Sequence, residues 1–163
     1  MHSTVICPGS FDPVTLGHID IITRASKMFD NVIVGVFINS EKHPVFTIDE
    51  RIDFLQRTLG SLPNVKVIGC DGLLAERAKE LGASAVVRGL RAVSDFEYEF
   101  QMALTNRKLN PDLDTVFLAS DASYTYLSSS IVKNVAYHGG DISNFVPACI
   151  HDEIFQRIYS ERK

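Results

Sequence analysis

The residues of this chain that could do chemistry are few and well separated. His18 follows Gly17, just after the Pro/Gly-rich stretch Cys7-Pro8-Gly9-Ser10-Phe11-Asp12-Pro13. Lys42 stands in the polar run Asn39-Ser40-Glu41-Lys42-His43-Pro44, Arg88 and Arg91 flank Gly89-Leu90, and Ser128-Ser129-Ser130 precedes an apolar helical pattern. Together these side chains form a set of hydrogen-bond donors and cations suited to holding anionic groups such as phosphate. Each also admits a plain structural role. His18 fits a core or capping histidine, Lys42 a solvated loop lysine, the serines an N-cap, and Leu73-Leu74 a piece of core. Arg88 is harder to explain structurally. It abuts the apolar run Ala85-Val86-Val87, where a guanidinium needs an anion or a carboxylate such as Glu97 or Glu99.

The elements that must position these groups alternate in type. Thr4-Val5-Ile6 reads as a buried strand, followed by a turn and a helix carrying His18, Ile22, Ala25 and Phe29. Asn31–Ile38 is a continuous apolar run, as expected for a strand covered on both faces. Thr47-Ile48-Asp49-Glu50 predicts a capping box opening a helix with Ile52, Leu55 and Leu59 inward, ending at Gly60. Val65–Ile68 predicts a third strand, Asp71 a cap for a helix with Leu74, Ala78 and Leu81, and Ala85–Val87 a fourth strand. Ser94-Asp95-Phe96-Glu97 predicts a second capping box before a helix reaching about Lys108. Thr115–Leu118 is the fifth strand, and helices follow at Ile131–Ala136 and along Ile150, Ile154 and Ile158. Five strands alternating with helices predict an α/β fold, a five-stranded parallel sheet with helices on both faces. In such sheets ligands bind beyond the carboxyl ends of the strands. Ser10 and His18, Lys42, Leu73-Leu74, Arg88 with Arg91, and Ser128–Ser130 each follow a strand, so one site is the economical reading.

At 163 residues, 45% of them hydrophobic and 22% charged, the sequence fits a single domain spanning residues 1–163. A net charge of −4 gives no basic footprint for nucleic acid, and no apolar run reaches membrane-spanning length. Cys7, Cys70 and Cys149 are odd in number and scattered, as reduced thiols of a cytoplasmic protein would be. No G-x-G-x-x-G or G-x-x-x-x-G-K-[ST] occurs, the histidines and cysteines lack metal-ligand spacing, and no Ser/His/Asp nucleophile arrangement is evident.

Thr15-Leu16-Gly17-His18 resembles the T/H-x-G-H signature of the nucleotidyltransferase superfamily, and Ser128-Ser129-Ser130-Ile131 its I-S-S-S/T counterpart. Over essentially the whole chain the sequence is most similar to the bacterial phosphopantetheine adenylyltransferase family. The similarity rests on Pro8–Pro13, Gly17-His18-Ile19-Asp20, Arg88-Gly89-Leu90-Arg91 and Asp95-Phe96-Glu97-Tyr98-Glu99. Leu127 replaces the usual isoleucine before the serines, and Tyr124 replaces a frequent tryptophan. The resemblance implies a Rossmann-like nucleotidyltransferase fold and transfer of the adenylyl group of ATP to 4′-phosphopantetheine, giving dephospho-CoA and pyrophosphate. It further implies His18, Lys42 and Arg91 as catalytic residues. Ser10, Phe11, His18, Gly89, Leu90, Arg91, Glu99 and the run Tyr124, Thr125, Tyr126, Leu127, Ser128, Ser129 and Ser130 would hold ATP. Ser10, Lys42, Leu74 and Arg88 would hold phosphopantetheine. Mg²⁺ brought in with ATP, assembly as a homohexamer and feedback inhibition by coenzyme A are the remaining expectations.

The chemistry suits these side chains. The attacking phosphate is already anionic, so no general base is required, and the problem is to bring two polyanions together. His18 and Lys42 would stabilise the α-phosphate, Arg88 would orient the incoming phosphate, and Arg91 with the helix start at Ser129 would receive pyrophosphate. A sister enzyme with another acceptor, and a nucleotide sensor without turnover, are the rival readings.

Overall fold

A computed structural model of the chain describes residues 3–38 and 43–162. It contains five strands, β1 (Thr4–Gly9), β2 (Asn31–Phe37), β3 (Val65–Cys70), β4 (Ala85–Leu90) and β5 (Asp114–Ala119). The helices are α1 (Leu16–Met28), α2 (Ile48–Leu59), α3 (Leu74–Glu80), α4 (Val93–Leu109), α5 (Ser129–Tyr137) and α6 (His151–Ser160). All strand pairs are parallel, in the order β3-β2-β1-β4-β5. This is the expected Rossmann-like arrangement, and its strand order reverses between β1 and β4.

Side chains alternate across the sheet. Val5, Cys7, Val32, Val34, Val36, Ala85 and Val87 face a core shared with Ile22 and Ala25 of α1, Phe54 and Leu55 of α2, Val132 of α5 and Ile154 and Ile158 of α6. Ile6, Ile33 and Val86 face a smaller core with Ala75 and Ala78 of α3 and Leu113. Burying an isoleucine fully contributes about 1.5–3 kcal/mol, so Ile154 and Ile158, essentially inaccessible, are enough to dock α6.

The sheet splits where the site must lie. β1 stays paired with β2 as far as Gly9↔Val36, but its pairing with β4 stops at Ile6↔Val86. Pro8 has no N–H to offer a ladder. Its carbonyl is taken instead by the Arg88 side chain, which donates from Nη1 at 2.8 Å.

Two expected caps differ from the structure. The Asp71 carboxylate accepts from the N–H of Gly72 at 2.8 Å, so α3 starts at Leu74 with no side-chain cap. Close to its own backbone, the short carboxylate bonds locally and never reaches the helix. At α4 the N-cap is Ala92, and Ser94 stands inside the first turn. There the Asp95 carboxylate is drawn to Arg91, four residues earlier. The Thr47–Glu50 box forms as expected, with Thr47 N–H donating to Glu50 at 2.8 Å.

Candidate active site

The turn after β1 is built around Phe11. Its φ of +50° lies in the left-handed region, a costly conformation for a bulky residue, and the 5%-exposed ring is what holds it. That ring lies against Gly9, where an added Cβ would come within 2.9 Å of Phe11 Cζ. It also meets the His18 ring edge-on at 5.0 Å. Residues 9 to 18 therefore pack as one unit.

His18 is oriented by a capping box of unusual composition. Thr15 is the N-cap of α1, and its hydroxyl accepts from the His18 N–H at 3.3 Å. In return the Thr15 N–H donates to His18 Nδ1 at 3.0 Å, the position that glutamate or glutamine normally fills. With Nδ1 accepting, the neutral ring carries its proton on Nε2. Burial, followed by the positive charges of Arg88 and Arg91, lowers the His18 pKa to about 4. His18 is thus a neutral N–H donor at pH 7.

Arg88 of β4 and Arg91, just beyond its end, are both anchored and still have donors to spare. Arg88 makes a two-pronged pair with Glu99 of α4, Nε to Oε2 at 2.9 Å and Nη2 to Oε1 at 2.6 Å. Burial works against its charge, and the Glu99 hydrogen bonds and charge outweigh this, leaving its pKa raised. Arg91 donates to Asp95 at 3.1 Å and to the Leu127 carbonyl at 2.8 Å, tying the end of β4 to the start of α5. Among the described residues, two N–H bonds of each guanidinium remain uncommitted. Between the arginines, Gly89 allows close passage of α1, since a Cβ there would lie 2.9 Å from Ile21 Cγ1.

At α5, the Ser128 hydroxyl caps the helix by accepting from Ile131 N–H at 3.2 Å. Ser129 donates to the Pro13 carbonyl at 2.7 Å, fastening α5 to the β1–α1 turn. The starts of α1 and α5 thus border the same space. The Leu16 N–H is taken by the Phe145 carbonyl at 2.9 Å, which leaves, among the described residues, Gly17 at α1 and Ser129 and Ser130 at α5 with N–H groups suited to an anion.

These pieces enclose a cavity of about 930 Å³ at the split in the sheet. Of the residues singled out in the sequence, Ser10, Phe11, His18, Arg88, Gly89, Arg91, Glu99, Tyr124, Leu127, Ser128, Ser129 and Ser130 line it. Leu90, Thr125 and Tyr126 do not. Leu90 completes β4, and Tyr126 is turned against Phe145 at 5.9 Å. Leu74 lines a second cavity of about 560 Å³ with Tyr98, Met102 and Asn106 of α4. Lys42 lies outside the described residues. The two cavities share Pro8, Gly9, Ser10, Ile38, Arg88, Tyr98 and Glu99, so the Arg88–Glu99 pair stands at their junction. Sequence reasoning missed Asp12, Arg51 and Lys133, all on the wall of the larger cavity. For Lys133 a signal existed: it stands four residues after Ser129, on the same face of α5.

The fold and the site define a nucleotidyltransferase. The cytidylyltransferase-like family model matches residues 6–135. The chain is 52% identical to the phosphopantetheine adenylyltransferase of Lachnoclostridium phytofermentans over 157 residues, covering 96% of each chain. It is 54% identical to that of Caldanaerobacter subterraneus subsp. tengcongensis over 152 residues, 93% of this chain and 95% of the relative. In overall fold it is similar to the nicotinic acid mononucleotide adenylyltransferase of Plasmodium falciparum, with a TM-score of 0.70, 14% identity and coverage of 100% and 99%. A Vibrio parahaemolyticus protein assigned as a nicotinate-nucleotide adenylyltransferase gives 0.71 at 21% identity, with coverage of 99% and 97%. The chain belongs to the phosphopantetheine adenylyltransferase family.

Proposed function

We propose that this chain transfers the adenylyl group of ATP to 4′-phosphopantetheine, forming dephospho-CoA and pyrophosphate, the penultimate step of coenzyme A synthesis. Besides family membership, the observation that carries the reading is the pair of cavities meeting at Ser10 and the Arg88–Glu99 pair. The larger, bordered by two helix starts and His18, suits ATP. The smaller, lined by Leu74, Met102 and Ala103, suits the pantetheine arm.

In this arrangement a phosphate oxygen of phosphopantetheine attacks the α-phosphorus of ATP, and the bond to the bridging oxygen of pyrophosphate breaks. The acceptor brings its own negative charge, so no side chain need remove a proton. His18 donates Nε2–H to an α-phosphate oxygen as charge builds there, and Lys42 supplies a second positive contact. Arg88 uses its spare N–H bonds to orient the incoming phosphate. Arg91 and the first turn of α5 receive the departing pyrophosphate, and the Tyr124–Ser130 stretch with Gly89 and Glu99 borders the nucleotide.

Mg²⁺ enters with ATP as a phosphate-bound ion. Among the described residues no group of three or more His, Cys, Asp or Glu side chains could hold a metal, and the Asp12 carboxylate is already engaged. Coenzyme A carries both the pantetheine arm and an adenylate, so it would compete across both cavities as a feedback inhibitor. Exposed apolar residues along α4 support self-assembly, as a homohexamer in this reading. Three free cysteines support a cytoplasmic setting, and no helix among the described residues is long and apolar enough to cross a membrane.

The decisive experiment supplies ATP and Mg²⁺ with 4′-phosphopantetheine, or with nicotinate mononucleotide as control, and follows pyrophosphate. Release with phosphopantetheine alone is expected. Release with only the nicotinate acceptor, or binding of ATP without any release, would overturn the assignment.

A further inference from the structure

Two charged side chains on the cavity wall are buried without bonding to each other. Asp12 is 7% exposed and Arg51 4%. The Asp12 carboxylate accepts from the N–H groups of Val45, at 3.1 Å, and Phe46, at 2.9 Å. It also accepts from Lys133 Nζ of α5 at 3.3 Å. Arg51, on α2, donates to the carbonyls of Ser10 at 2.8 Å, Thr47 at 3.3 Å and Phe37 at 3.5 Å. These bonds join the β1–α1 turn to the end of β2, the start of α2 and the middle of α5. Both charges are held by backbone groups rather than by a matched ion pair, so what they secure is the position of those segments. An anionic Asp12 also opposes binding of a polyanion unless its geometric role outweighs its charge.

We propose that Asp12 and Arg51 are positioning residues that hold the turn bearing Ser10 and the α5 face bearing Lys133 in one register across the ATP cavity. Asp12 fixes Lys133 at the wall and, among the described residues, leaves two of its N–H bonds uncommitted. Arg51 fixes the Ser10 backbone where the two substrates meet. This inference rests on the function proposed above, and charge and position make opposite forecasts for Asp12. If Asp12 mattered only as a charge, Asp12→Asn would tighten ATP binding and spare turnover. If it positions, turnover falls and ATP binding does not tighten.

The test compares Asp12→Asn, Lys133→Met and the double variant by pyrophosphate release and by calorimetric titration with Mg–ATP, with thermal unfolding as a control on folding. A fall in kcat of about 10- to 100-fold is expected for Asp12→Asn, the size of a sub-ångström to 1 Å misplacement. The double variant should lose little more than Lys133→Met alone, because Asp12 acts through Lys133. Independent, multiplying losses would overturn the proposal, as would tighter ATP binding with kcat retained. Should Asp12→Asn fail to fold, Arg51→Lys reads the other half. It keeps the charge but cannot span three carbonyls, and wild-type kcat in it would overturn the role of Arg51. If the native chain released no pyrophosphate, the function would fall by itself, and ATP affinity across the same variants would still decide this proposal.

Discussion

At the scale of single residues, the placement of protons matters more than the inventory of charges. His18 is a neutral donor because Thr15 N–H occupies Nδ1 and because burial and two arginines disfavour its cation. His18→Ala should fold normally and lose about 10²–10³ in turnover, the usual cost of one oxyanion donor, as measured by pyrophosphate release. The same environment fixes a pH dependence. The folded pKa, about 4, lies below the ordinary 6.5, so the unfolded chain takes the proton first. Stability from this group is therefore complete above pH 6.5 and is lost as pH falls towards 4. Urea unfolding at pH 7 and pH 5 should show a smaller drop for His18→Gln than for the native chain. Arg88 poses a different question, since Glu99 already pairs with it. Arg88→Ala should weaken phosphopantetheine binding more than ATP binding in calorimetric titrations, because it removes the junction's spare donors and leaves Glu99 buried without its partner.

At the scale of elements, the site exists because β1 and β4 part after one short stretch of pairing. Gly89 lets α1 pass close to β4 there. In Gly89→Ala the new Cβ meets Ile21, on the same helix as His18. A loss of about 1–3 kcal/mol is expected from such overpacking, seen as a lower Tm, together with reduced turnover as His18 is displaced. Local signals of this kind were unevenly legible. The Thr47–Glu50 box could be read directly because both side chains follow the ordinary rule. The capping role open to His18 is the one the structure shows, but its partner Thr15 was not legible, since histidine fills a position where glutamate is expected. The cap expected of Asp71 does not form, because a short carboxylate near a helix start has several backbone partners within reach and only the folded path selects one.

At the scale of the whole molecule, the two faces of the sheet are unequally covered. Among the described residues of α4 only Asn106 is buried, while Val93, Phe96, Phe100 and Leu104 recur at helical spacing and stay exposed, Val93 at 87%. Phe96 and Phe100 stack at 5.5 Å, making one continuous apolar strip. The self-assembly proposed above would bury such a strip. Phe100→Glu combined with Leu104→Glu should give a smaller species in sedimentation velocity than the native chain, with the fold preserved in circular dichroism.

The sequence by itself determined the alternating α/β architecture and the strand ends to which the anion-binding residues attach. Strand and helix periodicities are local properties, and parallel connectivity follows from their order. The resemblance carried by Gly17-His18, Arg88–Arg91 and Asp95–Glu99 also named the family. What only tertiary structure decided is which donors are already spent. Nothing in the sequence chose Glu99 over Glu97 for Arg88, set the His18 tautomer, or showed that Asp12 and Arg51 bind backbone rather than each other. Those outcomes depend on groups brought together from distant parts of the chain, and hydrogen-bond geometry and burial are settled only once they meet.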